Sequence, residues 1–183
     1  AGELQGAERA RYVRALLTDL RALERMLAEG RFETGISTIG AEQEMFLVDR
    51  AYNASPTALE LIDRVADPHF TTELGLFNLE MNADPQALEG AGLARMEAQL
   101  VQLYARVQAV ASELDVQPVL AGILPTLART DLSLENMVPN PRYLTLNRVM
   151  RAAKGDGYDI AIKGLDELVA KHDSLMFEAC NAS

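Results

Sequence analysis

Several things are scarce in this chain. It has one cysteine, Cys180, so no internal disulfide framework is possible, and a reducing cytoplasm is the expected compartment. It has two histidines, His69 and His172, in polar surroundings without paired-ligand spacing, which argues against a His-based zinc site and reads both as surface residues. Basic residues are outnumbered 27 to 17 by acidic ones, leaving a net charge of −10. That excess disfavours nucleic acid or an anionic membrane surface as partner, because both are held by clustered Lys and Arg. No apolar run reaches membrane-spanning length. The first residues, AGELQGAERARY, lack the basic and apolar regions of a signal peptide.

What is present is an ordinary globular balance, 49% hydrophobic and 24% charged over 183 residues, enough for one sizeable core. Tyr12, Val13, Leu16, Leu17, Leu20, Leu23, Met26 and Leu27 predict a helix over 7–29, stopped at Gly30. Residues 37–49 predict a strand. Pro56 opens a short helix to about Ala66, with Ser55 as its N-cap. A second strand is expected over 76–82. A long helix is expected from about Gly90 to Asp115, with Leu93, Met96, Leu100, Leu103, Val107, Val110 and Leu114 three and four apart. One isolated stripe of this length fits a helix lying on a sheet better than a coiled coil. Residues 116–125 read as a strand ending in a turn, and Pro139 and Pro141 frame a helix of about 142–153. Strands are expected over 158–164 and 174–183. This irregular mixture predicts an α+β fold, with helices packed on one face of a mainly antiparallel sheet. The chain reads as a single domain, with a leading helix in 1–36 and the sheet with its helices in 37–183. It stops inside an apolar run, as the first part of a longer protein would.

The chemistry sits in two strands. In IGAEQEMFLVD (39–49), Glu42 and Glu44 are two apart and share a strand face, their Cβ atoms roughly 6–7 Å apart. Phe46 and Val48 continue that face; Gln43, Met45 and Leu47 take the other. Gln43 has no evident reason to be there. Repulsion between Glu42 and Glu44 needs an offset: solvent, arginines, or a divalent cation with hard oxygen ligands. In TTELGLFNLEMN (71–82), Leu76, Asn78, Glu80 and Asn82 share one face, and Phe77, Leu79 and Met81 the other. That polar face is either a wet side of the sheet or the floor of a site. Glu73 lies seven residues before Glu80, on the opposite face of any unbroken strand. If both serve one site the chain must turn or bulge, and Gly75 is the place for it.

These segments resemble the glutamate–cysteine ligase (γ-glutamylcysteine synthetase) family. GAEQEMFLVD resembles its G-x-E-x-E strand, and TTELGLFNLEMN its next acidic segment, where an acidic residue precedes a glutamate by seven. GILPTL (122–127) resembles its Gly-x-x-Pro loop, and NMVPNPRYLTLN (136–147) followed by DSLMFEACNAS (173–183) its Arg-Tyr helix and the strand after it. The order holds from about Ser37 to Ser183. The resemblance implies a glutamine-synthetase-like half funnel, an antiparallel sheet whose inner carboxylates hold Mg²⁺, with Mn²⁺ an alternative. It implies ATP-dependent ligation of glutamate to cysteine or another amine, the first step of glutathione synthesis when the amine is cysteine. By position, Glu42, Glu44, Glu80 and Glu73 would be metal ligands, and Arg142 and Tyr143 the Arg-Tyr pair, in substrate contact or helix packing. Glu178 faces either the funnel or a salt bridge, and Cys180 is a small buried residue. The family's metal-site histidine, a further glutamate and an arginine are expected past Ser183, so this chain alone is expected to be inactive. A ligase-like binding or regulatory module that has lost catalysis is the competing reading.

Overall fold

The computed structural model describes residues 6–155, 158–164, 167–172, 176 and 179. It divides into two units, Ala1–Ser37 and Thr38–Ser183. The first is helix α1 (Ala7–Ala28) and its exit. Gly30, at φ 63°, ends it in the left-handed region that glycine tolerates, and Arg25 pairs with Glu29 at 2.5 Å.

The second unit is built around β2 (Glu42–Val48), whose alternating pattern sends side chains to two different layers. β2 lies between β4 (Asn78–Asn82) and β6 (Gln117–Val119), and β3 (Phe70–Thr72) flanks β4, giving the order β3-β4-β2-β6. All these pairings are antiparallel. Met45 and Leu47 of β2, Leu79 and Met81 of β4, and Phe70 form one buried face. Two helices cover it. α2 (Ala58–Val65) contributes Ala58, Leu61 and Val65; α3 (Gly92–Glu113) contributes Leu103, Val107 and Ala111, each four apart. The expected stripe of α3 is rotated slightly toward Ala111, leaving Leu93 exposed.

The opposite face changes character along β2. Phe46 and Val48 are buried with Phe77, Leu124, Leu132 and Met137, while Glu42 and Glu44 at the other end lie under no such cover. Phe46 and Phe77 stack with centroids 6.4 Å apart. The fold is thus α+β, with an antiparallel sheet and helices on one face.

Short pairs complete the unit. β1 (Thr38–Ile39) joins β5 (Gln86–Ala87), and β7 (Tyr158–Lys163) joins β8 (Glu167–His172) as a hairpin. Helix α4 (Pro141–Lys154) starts on Asn140, whose Oδ1 accepts the Arg142 N–H at 3.0 Å, with Pro141 in the first turn. Asn140→Ala is expected to cost about 1 kcal/mol, read as a lower urea midpoint with an unchanged slope.

Four expectations need correction. The 37–49 strand is broken at Gly40 and Ala41. Thr57, not Ser55, precedes α2, and neither side chain caps it; the Ser55 N–H is taken by Leu47 O at 2.8 Å. Phe77 leaves the alternation of Leu79 and Met81, because it sits in the turn before β4, where the Asn78 N–H bonds back to Gly75 O at 3.1 Å. β3, β5 and β8 were not foreseen: β3 and β5 are too short to show a period, and β8 sets Leu168, Val169 and Ala170 side by side without alternation. The expected strand over 174–183 lies outside the described residues except for Met176 and Ala179, which are 3-10 helical and not extended.

Candidate functional site

Strand register decides which carboxylates meet. Glu44 lies directly opposite Glu80 across β2 and β4. Thr71 lies opposite Glu80 across β3 and β4, so Glu73, two residues beyond Thr71, falls on that same face. The odd spacing that separates Glu73 from Glu80 in a single strand unites them across a hairpin. The turn is braced from outside: Leu76 N–H bonds to Asn136 O at 2.8 Å and Val138 N–H to Leu74 O at 2.9 Å. Gly75 pairs with Met137, and a Cβ on Gly75 would meet Asn78 Oδ1 at 2.6 Å.

The outcome is a cluster of Glu44, Glu73 and Glu80, each offering a carboxylate oxygen within 4.8 Å of the others. Glu42 lies on the same face, exposed, two residues along β2 and opposite Asn82; it is outside the group of three. Like charges directly opposite destabilise a sheet. Glu73 is pushed up to about 7 by burial first, then by its hydrogen bond to Glu80 and the charges of Glu44 and Glu80. Glu80 is held below the usual carboxylate range, chiefly by the hydrogen bond from Glu73, with Asn82 and Thr71 adding to it. The metal-free cluster therefore keeps a proton on Glu73 near neutral pH. Neither Glu73 nor Glu80 has a Lys or Arg partner among the described residues.

The donor set fits a hard dication. Oxygens about 2.1 Å from one Mg²⁺ lie at most about 4.2 Å apart, so a separation of up to 4.8 Å closes with small side-chain rotations. Tyr143 packs against the buried layer around Phe46 and donates its hydroxyl to Thr72 O at 3.5 Å, one residue before Glu73. Arg142 is exposed at the start of α4.

Two features escaped the sequence. Thr71 and Asn82 both donate to Glu80 Oε1, at 3.2 and 2.6 Å. His69, expected at the surface, is half-buried and tied at both ring nitrogens, Nδ1 to Asp67 at 2.7 Å and Nε2 to Asp84 at 3.3 Å. Those bonds raise its pKa, Asp67 contributing most. Gln43 gains a reason as well. Its Nε2 donates to Glu44 O at 2.8 Å, and its side chain borders a groove of about 290 Å³ with Met81, Leu100, Tyr104 and Leu120. The side chains of His172, Glu178 and Cys180 lie outside the described residues.

No helix among the described residues is long and apolar enough to cross a membrane. Comparison with curated proteins finds no match, and comparison with solved structures finds none. The family model described as Glutamate-cysteine ligase family 2 (GCS2) matches residues 38–176, a span that holds β2, the Glu73 turn and β4. On that match over most of its length, the chain belongs to glutamate-cysteine ligase family 2.

Proposed function

We propose that the protein is an ATP- and Mg²⁺-dependent ligase that joins the γ-carboxylate of glutamate to an amine, cysteine first among the candidates. Membership of a ligase family supports the reaction class. The convergence of Glu44, Glu73 and Glu80 within 4.8 Å is the observation that carries the reading. In this reaction a glutamate carboxylate oxygen attacks the terminal phosphorus of ATP and ADP leaves. The amine nitrogen then attacks the acyl carbon, inorganic phosphate departs and the amine loses a proton. Mg²⁺ supplies charge neutralisation for the phosphoryl group in flight.

The chain's own residues would do the following. Glu44, Glu73 and Glu80 hold the cation, with Glu42 a fourth carboxylate at the rim. Glu73 must give up its proton for this, since burial and its neighbours hold it protonated up to about pH 7. Tyr143 braces the strand end that leads into Glu73, and Arg142 is left for substrate contact. The sheet would form part of a half funnel, in an enzyme that works in the cytoplasm.

The test is phosphate release by the protein at its natural length, supplied with ATP, Mg²⁺, glutamate and a panel of amines. Release that requires both glutamate and one amine is expected. No release with any amine would contradict the reading and favour a module without catalysis.

A further inference from the structure

Glu80 is held by neutral groups from two strands. Thr71 is its register partner on β3, and Asn82 lies two residues along β4 on the same face. Asn82 Nδ2 donates to Glu80 Oε1 at 2.6 Å, and the Thr71 hydroxyl donates to that same oxygen at 3.2 Å. Asn82 Nδ2 also reaches Thr71 Oγ1 at 3.3 Å, closing a triangle. Asn82 is itself anchored, since its backbone N–H bonds to His69 O at 2.8 Å.

The chemistry of the donors matters. An arginine or lysine here would fix Glu80 equally well but would compete with a cation for its charge. An amide and a hydroxyl fix the carboxylate and leave its charge available. Both bonds end on one oxygen, so the second oxygen's direction is set by the first.

Resting on the cation reading above, we propose that Thr71 and Asn82 are positioning residues that set the carboxylate plane of Glu80 for the divalent cation. Thr71 is exposed, at the sheet edge, on a three-residue strand. A hydroxyl there has little packing role, which makes its convergence with Asn82 on Glu80 informative.

The test is Mn²⁺ binding by the protein at its natural length, followed by the loss of the free Mn²⁺ EPR signal, with melting curves in parallel. Glu80→Gln is expected to abolish binding at this site. Asn82→Ala and Thr71→Val are each expected to raise Kd about 10-fold or more, within the range for removing a partner of a metal ligand. Thr71→Ser keeps the hydroxyl and is expected to bind as the unaltered chain does. Thr71→Val preserves shape at an exposed site, so it decides the matter even if Asn82→Ala melts early. Unchanged Kd in Thr71→Val, with Glu80→Gln inactive in binding, would overturn the positioning role and leave the cation site standing. An unaltered chain that binds no Mn²⁺ would overturn the cation site, and the positioning role with it.

Discussion

Replacing Glu73 with Gln is expected to move stability and function in opposite directions. Above pH 7 the metal-free Glu73→Gln variant should melt higher than the unaltered chain, while its ligase rate falls by about 100-fold or more, at or beyond the upper end for losing only a partner of a metal ligand. The sign follows from linkage. Unfolded, Glu73 ionises near the ordinary carboxylate value; folded, it keeps its proton until about pH 7, because burial and the nearby Glu80 and Glu44 oppose its charge. Between those two values the folded state binds more protons than the unfolded state, so stability falls as pH rises and levels off above about pH 7. Gln has no charge to lose, so the variant lacks this decline. Glu73 is half-buried, and solvent screening discounts the effect to about 1 kcal/mol, or about 2–4 °C in Tm for a chain of this size. Glu80 acts in a different window. Its pKa is depressed, so the stability it contributes is present above the ordinary carboxylate value and is lost only in acid. Melting curves at pH 5 and pH 8 separate the two. A Glu73→Gln variant no more stable than the unaltered chain at pH 8 would contradict the account of the cluster.

Gly92→Ala is expected to be among the most destabilising single substitutions, although it adds one methyl group. A Cβ at Gly92 would lie 2.0 Å from the carbonyl oxygen of Ala87. The neighbour is backbone, and it belongs to β5, which pairs with β1 in fixed register. It cannot swing aside as a flexible side chain would. Overpacking typically costs about 1–3 kcal/mol, and with a rigid neighbour the upper end applies. A loss of about 3 kcal/mol lowers Tm by about 6–12 °C. Alanine is otherwise the better helix former, so propensity predicts the opposite sign. A variant as stable as the unaltered chain would show that the first turn of α3 does not press on β5.

Periodicity made much of this fold legible. The alternation of β2 placed Met45 and Leu47 under the helices and Glu42 with Glu44 on the other face. What it could not supply was pairing. Glu73 and Glu80 have the wrong parity for one strand, and only the β3–β4 register puts them on one face. β3 gave little signal because Phe-Thr-Thr is too short to show a period. Phe77 broke the alternation because the Gly75–Asn78 turn ends just after it, and turn hydrogen bonds outrank the strand pattern there. Ser55 looked like a cap, yet its N–H is drawn into a bond with β2. Asn82 already shared the face of Glu80 in the sequence, but Thr71, on another strand, becomes a partner of Glu80 only through the β3–β4 register.

The central claim is that this sheet serves a ligase that activates a glutamate carboxylate. The most direct measurement is isotope transfer. Glutamate labelled with ¹⁸O in its γ-carboxylate is supplied with ATP, Mg²⁺ and the accepted amine, and the inorganic phosphate is analysed by mass spectrometry. If the carboxylate attacks phosphorus, the bridging oxygen departs with phosphate. The account predicts one ¹⁸O in each phosphate released, and loss of that transfer in Glu80→Gln. Phosphate formed at the same rate without label would contradict it.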